Sequence, residues 1–264
     1  MHKLRVAMTG EKGCLASYFR DACKEYNAKI VPWSHDHDIL CLFGAKTDVD
    51  RCQEHPQEAW QSNMVSLYTH LTYTKVCNKP KKVVFISSDF VNVPGNVYGA
   101  TKLAGEVMVR SLFPDNHLIV RAQSFYGDGG KSWASKLRAQ LKSGEPVYAI
   151  SDQWVQPTYY ADFALSLGVL IKQDICGTVS FGTSDICSWF EFAKEMESYL
   201  KTSTPIHPVS AASLKRSAPR PSLSVFSSLE YEDKTGNKYR HWSEGLVEYI
   251  GDMAWKEDLE NGDV

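Results

Sequence analysis

The chain has 264 residues, 43% of them hydrophobic, with a formal net charge of −2 and a pI of about 6.4. That length can bury one large core or two smaller ones, and the near-neutral balance excludes a basic field that would draw in nucleic acid or anionic lipid. No apolar run reaches the roughly 18 residues of a membrane span, and the start, "MHKLRVAMTG", is too polar and short for a secretory leader.

The elements follow in chain order. "LRVAMT" (4–9) has strand character, and "SYFRDACKEY" after it has the apolar spacing of a helix. "AKIVPW" is a second strand and "DILCLFGA" (38–45) a third. Residues 56–78 read as a helix, with Trp60, Met64, Leu67 and Leu71 spaced by three and four. "KKVVFISS" (81–88) is a continuous apolar strand, and Lys79, Lys81 and Lys82 before and within it read as a solvated strand entry. "YGATKLAGEVMVRSLF" is a helix and "HLIVRAQ" another buried strand. Strands alternating with helices imply a parallel sheet covered on both faces, and the unbroken apolar strands agree. The fold class expected is α/β, a Rossmann-like doubly wound parallel sheet with a smaller C-terminal α/β substrate-binding region.

Beyond about residue 128 the rhythm changes. Helices are expected in "WASKLRAQLKSG", ending at Gly144, in "PTYYADFALSLGVLIKQ", in "CSWFEFAKEMESYLKT" and in "WSEGLVEYIGDMA", with a strand at "GTVSFG". "PVSAASLKRSAPRPS" reads as irregular and the acidic tail as frayed. The expected division assigns 1–128 and 156–182 to a dinucleotide-binding domain, and 129–155 and 183–264 to a substrate-binding region.

The seven cysteines (Cys14, Cys23, Cys41, Cys52, Cys77, Cys176 and Cys187) are odd in number and form no Cys-x-x-Cys pair. They read as reduced packing residues of a cytoplasmic protein, not as a disulfide framework or zinc site. His35 and His37 alternate with Asp36 and Asp38. No second ligand cluster accompanies them, so a polar loop is expected and no metal.

Two constellations carry chemistry. "TGEKGCLA" puts Gly10 and Gly13 between the first strand and first helix, with Ala16 where a third glycine often stands. Such a turn lets backbone N–H groups approach a pyrophosphate at the positive end of the helix dipole. A carboxylate that would select NAD is not at the end of the second strand, where Trp33-Ser34-His35 stand and Asp36 comes late. Lys12, inside the turn, can pair with a 2′-phosphate, which favours NADPH, with NADH the alternative.

The second is "NVYGATKLAGE", where Tyr98 and Lys102 stand at i, i+4 on one helix face. This is the one Tyr-x-x-x-Lys among thirteen tyrosines, and "SSD" at the end of a strand precedes it. A free phenol has a pKa near 10, and an ammonium beside it lowers that value; bringing it to 7 takes roughly 4 kcal/mol. Ser88, at a strand's carboxyl end, can donate a hydrogen bond to a substrate carbonyl, because ligands of open α/β sheets bind at that edge.

On "MTGEKGCLA", "GAKTDVDRCQEHPQEAWQSN", "VVFISSDFV", "VYGATKLAGE", "LIVRAQSFYG", "DQWVQPTYYADFA", "CSWFEFA" and "APRPSLS", the chain resembles an extended short-chain dehydrogenase/reductase. More narrowly, it is similar to the dTDP-4-dehydrorhamnose reductase group. The resemblance implies an oxidoreductase acting on a sugar nucleotide in deoxysugar and polysaccharide biosynthesis. Hydride would pass to the 4-keto carbon of a 4-keto-6-deoxy sugar, with Ser88 polarising the ketone, Tyr98 as proton donor and Lys102 holding the ribose and tuning Tyr98. Gly10, Lys12 and Gly13 match the cofactor turn, joined by Cys14 and Leu15 at the helix start. Gly44 and Ala45 match the loop passing adenosine and ribose. Gln153, Trp154 and Arg220 would line the sugar-nucleotide side, and a homodimer follows by analogy.

The chain departs from the family's pattern in several places. The loop "DFVNVPGN" is short, and only "SHDHD" stands where a strand and helix usually separate the second and third strands, so either that connection is unusual or one sheet edge is pared away. Ser124, Val155 and Leu223 replace the family's tryptophan, glycine and asparagine. Two rival functions stand beside the reductase: a non-catalytic NADP-binding regulatory subunit, and a sugar-nucleotide epimerase or dehydratase. Against a dehydratase, Asp89 is followed by Phe90 and not by a second acid.

Overall fold

In the first half of the chain the apolar runs become strands of one parallel sheet. The structure, a computed structural model, describes residues 3–92, 95–129, 132–227 and 229–261. The elements are β1 (Leu4–Thr9), α1 (Cys14–Glu25), β2 (Ala28–Val31), β3 (Ile39–Leu42), α2 (Val49–Glu54), α3 (Pro56–Trp60), a π-helical turn (Gln61–Val65), α4 (Ser66–Cys77), β4 (Lys82–Ser88), a 3-10 turn (Asp89–Val91), α5 (Val97–Leu112) and β5 (His117–Ala122). There follow β6 (Phe125–Tyr126), α6 (Trp133–Ser143), β7 (Val147–Ile150), β8 (Trp154–Val155), β9 (Thr158–Tyr159), α7 (Tyr160–Lys172), β10 (Gly177–Ser180), β11 (Cys187–Ser188), α8 (Trp189–Leu200), β12 (Ile206–Val209), a second 3-10 turn (Ala211–Leu214), α9 (Leu229–Thr235) and α10 (Trp242–Asn261).

Six strands form the main sheet in the order β10-β5-β4-β3-β1-β2, every pair parallel. Because side chains alternate across a strand, each strand feeds two cores. Val84 and Ile86 of β4 pack with Phe19 of α1 and Phe163 and Leu167 of α7. Val83 and Phe85 face the other way, toward Leu67 and Leu71 of α4 and Val109 of α5. Burial on both faces is why these strands read as unbroken apolar runs.

The question raised by "SHDHD" has a geometric answer. β2 is the edge strand, and β3 lies on the far side of β1. Val31 is level with Ala7, and Ile39 with Val6. The link therefore retreats little along the strands and must span only two strand spacings, roughly 10 Å. Residues 32–38 cover this on the α4 face, where Trp33 packs edge-on against His70 and Tyr73. Asp38 closes the crossing: its carboxylate accepts from the Arg5 backbone N–H at 2.9 Å and its own N–H donates to the Arg5 carbonyl at 2.9 Å.

A third apolar cluster joins α6, α8 and α10 through Leu137, Leu141, Phe192, Met196, Leu246 and Tyr249. β7 and β12 pair in parallel beside it, so part of the stretch expected to be irregular is strand. Thr158 and Tyr159, expected within a helix, form β9 against β6. Lys82 corrects the expected solvated entry: it is 1% exposed, and its ammonium donates to the Ile175 carbonyl at 2.8 Å and pairs with Asp174 at 2.6 Å. The seven cysteines are free, and Cys23, Cys41, Cys52 and Cys187 are buried. No helix among the described residues is long and apolar enough to cross a membrane. The tail beyond Asn261, and Val93 and Pro94 of the short loop, lie outside the described residues.

Candidate active site

A cavity of about 620 Å³ sits at the carboxyl edge of the main sheet. Its walls come from the β1–α1 turn (Gly10, Gly13, Cys14 and Leu15), the exit of β3 (Phe43, Ala45), the end of β4 (Ser88, Asp89), α5 (Tyr98, Lys102) and the C-terminal region (Gln153, Trp189, Arg216, Arg220). Open parallel sheets bind ligands at this edge, where the strands' exits diverge.

The glycine turn is fixed by close backbone packing. Gly10 has φ +69°, and a Cβ there would meet the Gly44 Cα at 2.8 Å. Both facts demand glycine. The Gly44 N–H donates to the Thr9 hydroxyl at 3.1 Å, so Gly44 locks the turn from behind instead of lining the cavity. Gly13, the N-cap of α1, brings no side-chain cap to the helix start. The first amides of α1 therefore remain available to an anion, and the residues fit a pyrophosphate. Lys12 is exposed beyond the cavity wall.

Ser88, Tyr98 and Lys102 converge on the same cavity, each buried. Asn96 starts α5: its side-chain oxygen accepts from the Gly99 N–H at 2.8 Å and its amide donates to the Pro219 carbonyl at 2.9 Å. That cap positions Tyr98 and Lys102 and ties them to the segment opposite. Within α5, one turn beyond Lys102, the fully buried Glu106 accepts from Nε and Nη2 of Arg121, each at 2.8 Å.

The electrostatics differ from those expected of Tyr98 and Lys102. Burial pushes the Tyr98 phenol up, and the charge of Asp89 adds to that, with the Ser88 hydroxyl opposing. Lys102 moves the other way, down to about 7, because burial disfavours its ammonium more than Glu106 supports it. The expected lowering of the Tyr98 pKa by Lys102 is therefore not found: desolvation dominates at both groups. The Lys102 nitrogen lies 4.2 Å from the centre of the Phe85 ring, a cation–π contact that recovers part of its lost hydration.

Asp89, with no catalytic role expected from sequence, is a hub. The Ser88 hydroxyl donates to one oxygen at 2.8 Å and the Ser224 hydroxyl to the other at 2.7 Å. Burial raises its pKa against both hydroxyls. The tripeptide "SSD" was the available signal, but Ser224 lies 135 residues away.

On the opposite wall, Gln153 is buried and lines the cavity. Trp154 does not: it is 38% exposed and pairs with β11 and with Leu223. Arg220 lines the cavity but is engaged, its guanidinium donating to both oxygens of Asp50 at 3.0 and 2.8 Å and to the Ala218 carbonyl at 2.9 Å. That partner, on α2, holds Arg220 in place. Ser124 and Val155 border the cavity, Ser124 with φ +49°, while Leu223 is 57% exposed away from it. His37 bonds through its ring to the His35 carbonyl at 2.8 Å. No group of three or more metal-ligating side chains occurs among the described residues.

Sheet order and cavity together define a Rossmann-like α/β protein with a ligand site at the carboxyl edge of its sheet. Residues 21–255 match the model of the RmlD substrate binding domain, and the chain belongs to that family. It is 30% identical over 232 residues to the spore coat polysaccharide biosynthesis protein SpsK of Bacillus subtilis, covering 82% of this chain and 80% of that protein. It is 27% identical over 231 residues to a dTDP-4-dehydrorhamnose reductase of Mycobacterium tuberculosis, with 80% and 75% covered. The crystal structure of a dTDP-4-dehydrorhamnose reductase from Bacillus anthracis in complex with NADP superposes with a TM-score of 0.88 at 26% identity, over 95% of this chain and all of that one.

Proposed function

We propose that this protein is an NADPH-dependent reductase of a 4-keto-6-deoxy sugar nucleotide, with Tyr98 as the proton donor. An oxidoreductase acting on a sugar nucleotide is what its family membership supports. The observation that carries the finer reading is convergence: the glycine turn and Ser88, Tyr98 and Lys102 face one cavity. In the division this reading uses, 1–128 with 156–182 carries the cofactor and 129–155 with 183–264 the sugar nucleotide.

NADPH, when bound, supplies the hydride. The chain's own part is to hold and to protonate. The amides of Cys14, Leu15 and Ala16 at the uncapped start of α1 would take the pyrophosphate. Exposed Lys12 stands in the turn to meet a 2′-phosphate, and no carboxylate follows β2 directly to claim a ribose hydroxyl. Lys102 would hold the ribose.

Tyr98, its pKa raised, keeps its proton at neutral pH and is loaded as an acid. It gives that proton to the oxygen of the reduced carbonyl. The phenolate left behind is costly in a buried site, and the Lys102 ammonium offsets that cost. Ser88 turns from Asp89 to the carbonyl oxygen, its own oxygen still accepting the Phe90 N–H at 3.3 Å. Asp89 then keeps Ser224 as its donor.

The test is to add NADPH and a panel of 4-keto-6-deoxy sugar nucleotides to the purified protein and follow nicotinamide absorbance. Oxidation of NADPH with one of the panel supports the reading. Tight NADPH binding with no turnover on any of them would favour the non-catalytic regulatory alternative.

A further inference from the structure

The segment from Arg216 to Phe226 straps the open side of the cavity, and its anchors are polar. Glu54 accepts the Ser217 hydroxyl, while Asp50 accepts the Ala218 N–H at 3.0 Å and both donors of Arg220. These two carboxylates stand one turn apart on α2. Asp50 consumes the charge of Arg220, the arginine that the family resemblance assigns to the substrate.

Arg216 is in a different condition. Arg216 lines the cavity, and its guanidinium has one hydrogen bond, 3.1 Å to the side-chain oxygen of Gln153, a neutral group. Among the described residues no carboxylate is within ion-pair distance of it. Arg216 is exposed at the cavity rim, and partial desolvation there, followed by the charge of Arg220, pulls its pKa down, with Asp50 opposing. Asp50 answers the charge of Arg220, whereas the exposed Arg216 beside it is held by neutral Gln153 alone, so its charge stands at the cavity rim without a carboxylate partner. Gln153 fixes its direction without neutralising it.

We infer that Arg216, oriented by Gln153, binds the diphosphate of the nucleotide substrate, while Arg220 serves to pin the strap to α2. This rests on the reading of the cavity as a sugar-nucleotide site. A planar five-donor fork suits adjacent phosphates, and a lysine would match them less well.

The experiment measures binding of uridine diphosphate, thymidine diphosphate and inorganic pyrophosphate by calorimetry, and separately of NADPH. It uses wild type, Arg216→Ala, Arg216→Lys and Gln153→Glu, the last placing a carboxylate against the guanidinium. Loss of a charge-assisted contact predicts weakening of the nucleoside diphosphates by about tenfold or more in Arg216→Ala and Gln153→Glu, less in Arg216→Lys. NADPH affinity stays unchanged, and turnover shows a raised KM with kcat preserved. Equal diphosphate affinity in wild type and Arg216→Ala, or a loss confined to NADPH, overturns the inference while leaving the reductase reading intact. Failure of wild type to bind any nucleoside diphosphate overturns both.

Discussion

The two walls of the cavity are built by opposite means. The wall formed by the β1–α1 turn and the exit of β3 is backbone packed on backbone, with the Gly10 and Gly44 main chains in contact. The wall formed by Arg216–Phe226 is fastened by side chains far away in sequence: Asp50, Glu54, Asp89, Asn96 and Gln156. A rigid wall suits the cofactor that the proposed function places there. A wall hung on replaceable polar contacts can be altered without disturbing the sheet, which suits the substrate side.

Breaking each wall should therefore have different consequences. The largest expected effect lies between them, at Lys102. Lys102→Met should lower kcat by about 10²–10⁴, yet raise stability by roughly 1–3 kcal/mol, because a desolvated cation is replaced by an apolar side chain. Steady-state kinetics and thermal melts on one preparation check both signs.

Gly10→Ala comes next. A Cβ at φ +69°, 2.8 Å from the Gly44 Cα, should cost roughly 2–4 kcal/mol. NADPH affinity should fall with it, as read by nicotinamide fluorescence.

The pH dependence sharpens the comparison further. With Lys102 titrating at about 7, the protonated form is lost as pH rises. The kcat/KM for NADPH, which reports the free enzyme, should fall about fivefold from pH 7 to pH 8. The same group carries the opposite sign for folding. Its native pKa lies below its unfolded value, so stability should increase as pH rises from about 7 toward 10.5. The smallest effect is expected at the strap. Asp50→Asn should cost about 1 kcal/mol and raise the KM of the sugar nucleotide, with NADPH binding unaffected.

The same contrast decides what was legible in the sequence. Unbroken apolar strands and the paired glycines between strand and helix follow from local chemistry, and Tyr98 and Lys102 share a helix face by spacing alone. The strap is irregular, as its Pro/Ser content implies, but its anchors are hidden because nothing local marks Ser224 for Asp89 or Arg220 for Asp50. The pairing of β7 with β12 was equally hidden, since each is a four-residue strand and they lie far apart in the chain. Spacing also gave the wrong direction for the Tyr98 pKa. An i, i+4 pair shows that a cation is near, but not that both groups are buried or that Asp89 stands beside the phenol. The seven-residue crossing from β2 to β3 was unreadable for a related reason. Its feasibility depends on the relative heights of the strands, which no residue pattern records.

The central claim is that Tyr98 delivers the proton from a cavity the rest of the site still forms. Wild type and Tyr98→Phe, each saturated with NADPH, should be mixed with the 4-keto-6-deoxy sugar nucleotide and followed through a single turnover. The account predicts unchanged NADPH affinity and a rate lower by about 10²–10⁴ in the variant. A Tyr98→Phe protein that turns over at the wild-type rate would contradict it.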